Sequence, residues 1–376
     1  MASKTAKRRV IRVRELLEVL ESWFPASLAE QWDNSGLLCG SPADEVRRVG
    51  IALEASVEAV RKTAGRSGGL LITHHPVIFD PLRKIDTRHG SGAVLREAMR
   101  RDVALVACHT NADWAPEGVN DVLAERLGLR NVHAWQPSYP TKFKKLVVLV
   151  PQSHIEPVGE AIFRAGGGII GTYAKCSFRH PGEGTYLPLP GADPYAGKVG
   201  ALSAEPEIRL EVRVPAAAVD AVLDAMNLAH PYEEVAFDLY DTDRQSPFGG
   251  VARVGELARP QTLAAFARRA ARKLGARTGR FVGDGSQEIR RVVVCGGDGS
   301  FLLKQIRPEP GLVLVTGDVK YHEALDARAA GLPIVDLGHY ATERPFVDTL
   351  AVRLAKEFPA LSVFACTPEG DPFTAV

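Results

Sequence analysis

Three short phrases, far apart in the chain, each close an apolar, strand-like run with residues that bind metal. They are Leu70-Leu71-Ile72-Thr73-His74-His75-Pro76, then Val103 to Asp113 (VALVACHTNAD), then Pro333 to Glu343 (PIVDLGHYATE). Neutral imidazole and carboxylate are the usual ligands for Zn, Mn, Fe or Ni. In open α/β folds, sites gather beyond the carboxyl ends of the strands. Histidines and carboxylates converging there suit two metal ions better than one.

The surrounding pattern is α/β. Strands are expected at 49–53, 69–73 and 103–108, with helices at 56–64, 91–101 and 118–127. This alternation predicts a parallel sheet with helical crossovers. Leu16, Leu17, Leu20, Trp23 and Phe24 recur at helical spacing before Pro25. Residues 131–143 show no clear period and suit a linker. A different unit follows, with strands at 145–151, 208–214 and 236–240. Its helices are expected to 165, opened by a Ser153/Glu156 capping box, and over 216–228. Two strand–helix–strand passes of this size predict a ferredoxin-like (PII- or CutA-like) module. From about residue 250 the α/β pattern resumes, with strands at 291–295, 312–316, 333–337 and 361–365. The expected organisation is therefore a strand–helix alternating metal-binding body, 1–130 and 250–376, interrupted by a middle module at 144–240.

Composition narrows the function classes. A chain of 376 residues exceeds the ~100–200 of one ordinary core. Hydrophobic residues at 45% and charged residues at 24% predict a globular protein. The formal net charge of +1 gives no global pull toward nucleic acid, which disfavours a ring around it. No apolar run approaches the ~20 residues that span a bilayer. The basic start, residues 1–9, runs into an amphipathic helix and is read as a frayed terminus. Five cysteines without C-x-x-C spacing predict reduced thiols and a cytoplasmic location.

Adjacent residues in a regular strand face opposite ways, so His74 and His75 reach one site only where the strand ends. A capping and a surface histidine is the bland alternative. His109 and Asp113 follow a strand in a turn, where a turn aspartate is common. His339 and Glu343, four apart, share one helical face if helical. Together the three phrases are more telling than each alone, because buried carboxylates and imidazoles without a cation are costly. A metal pair supplies the charge and acidifies a bridging water. Asp318 and His322 can orient ligands or contact substrate, and Asp33 and Asn34 can line the pocket or serve a turn. Cys295-Gly296-Gly297-Asp298-Gly299-Ser300 invites a phosphate-loop reading, but without a Walker-type lysine loop it is taken as a tight strand–helix turn.

These phrases resemble the NIF-three-like dinuclear metal-centre family, often named type-two GTP cyclohydrolase I. The similarity extends to Trp32-Asp33-Asn34-Ser35-Gly36 and Gly118-Val119-Asn120. Within the middle module it includes Gly171 to Phe178 and His230-Pro231-Tyr232-Glu233-Glu234, as in the longer family members. The resemblance implies metal ligands His74, His75, Asp113, His339 and Glu343, with Glu343 bridging two divalent ions. It also implies a homohexamer. Glu54 departs from the aspartate that often ends this family strand. The leading expectation is a metal-dependent hydrolase acting on a nucleotide, with His109 or His322 moving protons. The alternative is a non-enzymatic metal-binding scaffold or regulator whose middle module senses a ligand.

Overall fold

The computed structural model describes residues 10–65, 68–135, 143–170, 173–242, 249–366, 368 and 370–374. The basic start, residues 1–9, lies outside them. The chain divides into two units, one formed by Met1–Pro137 with Gly249–Val376 and the other by Ser138–Phe248. Both mix helices and strands, so the protein is α/β in class.

The first unit holds two principal sheets. In one, Ser362–Ala365, Arg48–Ala52, Gly69–Thr73 and Val103–Ala107 lie side by side and parallel. Gly36–Cys39 closes that sheet antiparallel to Val103–Ala107. The strands Gly69–Thr73 and Val103–Ala107 are buried at every position. This explains their unbroken apolar runs, since a parallel strand is covered on both faces. Helices Val57–Thr63 and Gly90–Arg100 cover one face through Ala59, Val60, Val94, Leu95 and Ala98. The Ser56 side chain caps the first of these helices, accepting from Ala59 N at 2.9 Å.

In the second sheet the order is Arg280–Val282, Ile334–Asp336, Leu312–Gly317, Glu288–Asp298, Arg253–Thr262 and Arg130–Ala134. Its three central strands from Ile334–Asp336 to Glu288–Asp298 are parallel. Leu123, Leu127 and Phe266 pack on one face beside Val292, Val294 and Val313. Leu302, Ala327 and Leu332 pack on the other beside Val293, Leu314 and Ile334.

Two expectations need correction here. Residues 131–134 are not linker but part of the edge strand Arg130–Ala134, paired with Arg253–Thr262. Residues 136–142 lie outside the described residues. The strand expected near 361–365 forms as Ser362–Ala365. It pairs with Arg48–Ala52 in the first sheet, because helix His339–Glu357 delivers the chain to that edge. The Ser153/Glu156 capping box does not form. A 3-10 turn, Gln152–His154, leads into helix Ile155–Arg164, and the Ser153 hydroxyl meets the His154 ring instead.

The second unit runs strand–helix–strand–strand–helix–strand. Its sheet order is Phe237–Asp241, Phe143–Pro151, Ser203–Pro215 and Ser177–Tyr186, all antiparallel. Helices Ile155–Arg164 and Val219–Ala229 bury Val158, Ile162, Val222 and Met226 against Leu146, Val148, Leu210 and Val212. The edge strand Ser177–Tyr186 carries Pro181, Gly182 and Gly184, which hid it from periodicity. Proline is tolerated at a sheet edge, where its missing N–H faces outward. Among the described residues no helix is long and apolar enough to cross a membrane.

Two buried polar side chains stitch the halves of the first unit together. Asn120 donates to the carbonyls of Val251 (2.8 Å) and Asp113 (3.2 Å) and accepts from Gly296 N (2.7 Å). Arg253 is 3% exposed. It donates to Asp121 Oδ1 at 2.9 Å, to Ala115 O at 2.8 Å, to Ala252 O at 3.2 Å and to Gly250 O. Removing such a cation strands a carboxylate and several carbonyls. Arg253→Leu is therefore expected to destabilise this unit by about 3–5 kcal/mol in urea unfolding. A loss below ~1 kcal/mol would show that water replaces the clamp freely.

Candidate metal centre

The site lies past the carboxyl ends of strands from both sheets of the first unit. Beyond Gly69–Thr73 the backbone bends at His74 and His75, whose N–H groups donate to Ala52 O (3.2 Å) and Leu53 O (3.0 Å). The two rings converge there, with centroids 4.8 Å apart. His109 follows Val103–Ala107 and caps the short helix Thr110–Trp114, which carries Asp113. His339 is the first residue of helix His339–Glu357, with Glu343 one turn on.

Each ring is oriented from behind. His74 Nδ1 lies 2.8 Å from Cys108 O, a group that only accepts, so Nδ1 carries the proton. His75 Nδ1 faces Glu54 Oε1 at 2.5 Å, His109 Nδ1 faces Asp33 Oδ1 at 2.7 Å, and His339 Nδ1 faces Asp318 Oδ2 at 2.8 Å. Ionised carboxylates also only accept. Four imidazoles therefore hold Nδ1–H outward and leave Nε2 for the interior. Outer acceptors of this kind are what set the tautomer of a metal-ligating histidine.

The inner atoms are closely spaced. His75 Nε2 is 3.2 Å from His339 Nε2, and Glu343 Oε2 is 3.2 Å and 3.1 Å from the two. Metal–nitrogen bonds of ~2.0–2.1 Å at tetrahedral angles place donor atoms ~3.3 Å apart. The other Glu343 oxygen, Oε1, lies 3.6 Å from His74 Nε2, which is 3.7 Å from Asp113 Oδ1. His74 Nε2, Asp113 Oδ1 and Glu343 Oε2 are buried without a hydrogen-bond partner. Two groups, His74 with His75 and His109, and His75 with His339 and Glu343, can each hold a metal ion. The donor set fits a divalent cation.

Burial alone would lower the His75 pKa, but the adjacent carboxylates of Glu343 and Glu54 raise it to about 10. Burial likewise opposes His339, yet Glu343 and Asp318 raise it to about 9. Burial drives Asp113 up to about 6, with the charge of Glu343 adding to it and His74 opposing. Burial would raise Glu343 too, but the surrounding imidazoles hold it well below the usual carboxylate range. Asp33 is pushed up by burial, and hydrogen bonds from His109, Thr110 and Ser35 more than reverse this.

The glycine-rich end of strand Glu288–Asp298 packs against the site. Gly297 has φ +60°, and a Cβ there would fall 2.3 Å from Glu343 Oε1. Its N–H donates to Thr342 Oγ1 at 3.1 Å. The expected tight turn is not found at 295–298, where the strand continues with a register irregularity to Asp298. At the rim, the exposed rings of Trp32 and Phe79 stand 5.7 Å apart, with His109 6.0 Å and 6.2 Å from them.

Of the residues singled out from the sequence, His74, His75, His109, Asp113, His339 and Glu343 come together. Asn34 lies beside them and donates to Ile78 O at 2.6 Å. His322 does not join them. It is exposed on helix Tyr321–Ala330 with its ring against Tyr321, outside both donor groups. Sequence reasoning gave His109 a proton-transfer role, and the structure groups it with His74 and His75 as donors that could hold an ion. Its place one residue beyond a strand, as for His74, was the available signal. Phe79 carries no sequence signal of its own.

Comparison with known proteins agrees over almost the whole chain. The family model Duf34/NIF3 (NGG1p interacting factor 3) matches residues 11–372. A protein of Halalkalibacterium halodurans named GTP cyclohydrolase 1 type 2 homolog is 35% identical over 98% of this chain and 100% of its own. A Bacillus subtilis protein of the same name is 36% identical, over 96% and 98%. The crystal structure of a Bacillus cereus protein related to NIF3 superposes with a TM-score of 0.71 at 37% identity, covering 98% and 100%.

Protonated His75 and His339 must lose their protons before their Nε2 atoms can bind a cation. Zinc uptake by metal-free protein at pH 7.5 should therefore release protons. Zinc affinity should climb with pH until the two histidines are neutral, near pH 9–10. Calorimetry in buffers of different ionisation enthalpy reads the protons directly. An observed heat independent of buffer would show that these imidazoles are already neutral.

Proposed function

The chain belongs to the Duf34/NIF3 family, and from that premise we propose a dinuclear divalent-metal protein that acts as a metal-dependent hydrolase on a nucleotide or related phosphoester. The observation that carries this reading is Glu343. Its two oxygens face two different donor sets, His74 with Asp113 and His75 with His339. That is the arrangement expected of a bridging carboxylate. His74, Asp113 and Glu343, joined by His109, would hold one ion, and His75, His339 and Glu343 the other. The ligand types accept Zn, Mn, Fe or Ni. Bound there, two such ions supply Lewis acidity and acidify water toward neutral pH.

The chain's own residues support the rest. Asp33 holds His109 with Nε2 toward the cluster, so this imidazole is placed to pass a proton between the site and the rim. Glu54 keeps His75 in its tautomer with a longer arm than aspartate has. Trp32 and Phe79 offer apolar ring faces beside His109, a surface on which a nucleobase can stack. The names of the relatives favour GTP or a related nucleotide.

The middle unit belongs to the same proposal. Its sheet places the fourth strand beside the first and the third beside the second, which supports a ferredoxin-like (PII- or CutA-like) module. We take residues 144–240 as this module, 1–130 and 250–376 as the metal body. A homohexamer fits the exposed edge strand Ser177–Tyr186. Cysteines that form no disulfide among the described residues support a cytoplasmic location.

Metal content, circular dichroism and turnover of nucleotides and phosphoesters test the reading together. Glu343→Ala should lose both ions, and His75→Ala should lose metal and activity together. His109→Ala should keep some metal while activity falls ~10–100-fold. Full activity after complete demetallation would reject the mechanism, and no turnover by fully metallated protein would leave a binding role only. Replacing residues 144–240 by a short linker should leave a folded, metal-loaded body. Loss of metal uptake in that deletion would place the module in the core.

A further inference from the structure

The middle unit contains a cavity of about 430 Å³ that the metal chemistry does not use. This is ample for a small metabolite. One wall is the phrase His230-Pro231-Tyr232-Glu233-Glu234. The opposite wall is the end of strand Ser177–Tyr186 and the loop after it.

Three tyrosines form the cavity's aromatic lining. Tyr195 lies 5.9 Å from Tyr232, and Tyr186 lies 6.2 Å from Tyr232, ring centre to ring centre. The loop is tied down at both ends of this cluster. Tyr186 OH donates to Ala196 O at 2.9 Å, and Asp193 N donates to Glu233 Oε1 at 3.0 Å. His230 secures the other wall, with Nε2 3.0 Å from Leu149 O and Nδ1 accepting from Tyr232 N at 3.1 Å.

The floor carries Glu207, only 6% exposed. Tyr232 OH donates to its Oε1 at 2.9 Å. Room for its other oxygen comes from Gly184, where a Cβ would fall 2.0 Å from Glu207 Oε2. Among the described residues no lysine, arginine or histidine forms an ion pair with Glu207. A carboxylate this buried is costly unless a cation meets it. The whole lining repeats that demand: it contains Glu207, Glu233 and Glu234 and no basic residue.

We propose that this cavity binds an organic cation, a primary amine or guanidinium on an apolar body, with its charge on Glu207 and its body among Tyr186, Tyr195 and Tyr232. Tyrosine faces attract cations through the ring quadrupole, and the buried carboxylate fixes the position of the charge. The same lining repels phosphates and carboxylates, so the ligand differs in class from the nucleotide proposed for the metal centre. Glu207, Tyr232 and Gly184 come from three segments of the chain.

The test compares 2-phenylethylamine, 2-phenylethanol and phenylacetate on the full-length protein, by calorimetry and ligand-observed NMR. The amine should bind at least ~10-fold tighter than the alcohol, and phenylacetate should not compete. Glu207→Gln, a nearly isosteric change, should remove that preference while leaving the alcohol unchanged. Tyr195→Leu, at a half-exposed position, should weaken the amine without disturbing the fold by circular dichroism. Equal binding of amine and alcohol, an unchanged preference in Glu207→Gln, binding of guanosine in place of the amine, or no binding of any probe at millimolar concentration would each overturn the proposal.

Discussion

Glu343 is a carboxylate buried in a protein interior, where an isolated charge would be too costly to keep. It persists because the Nε2 atoms of His74, His75 and His339 lie 3.1–3.6 Å from its oxygens, with His109 beside His74 and His75. Those nitrogens are free to face inward only because their ring partners face outward, toward Cys108 O, Glu54, Asp33 and Asp318. The cluster therefore has two layers, and the outer one fixes the chemistry of the inner one. Glu343, with Glu54 on one side and Asp318 on the other, holds His75 and His339 far above the ordinary histidine range despite their burial.

The architecture of the first unit follows from the need to bring both sets of donors to one point. His74, His75, His109 and Asp113 come from the ends of one parallel sheet, His339 and Glu343 from the chain leaving the other. Helix His339–Glu357 carries the second set and then returns the chain to pair as Ser362–Ala365 in the first sheet. Asn120 and Arg253 lock the same junction with buried hydrogen bonds. The middle unit packs its own core and presents a site of different character, acidic and aromatic, in which one carboxylate is left to meet a charge from outside.

Much of this was readable along the chain. Apolar runs ending in histidine marked the buried strands, because a strand covered on both faces tolerates no polar residue until it ends. The four-residue step from His339 to Glu343 marked one helical turn. The strand Ser177–Tyr186 was invisible, since proline and glycine at an exposed edge erase the alternation by which strands are recognised. The capping box at Ser153 failed because a 3-10 turn placed that side chain against His154 instead.

The sequence by itself determined the donor types, the strand ends that present them and the separate pattern of the middle segment, because all three depend on neighbours along the chain. Which donors meet was decided by the tertiary structure alone. His109 joins the cluster and His322 stays outside, although both stand near strand ends, because only the backbone path after Ala107 turns inward. Glu54, Asp33 and Asp318 become orienting groups, and Gly297 becomes the floor under Glu343, through contacts between segments far apart in sequence. No local rule encodes such contacts, since they exist only once two sheets and a returning helix have enclosed the charges they share.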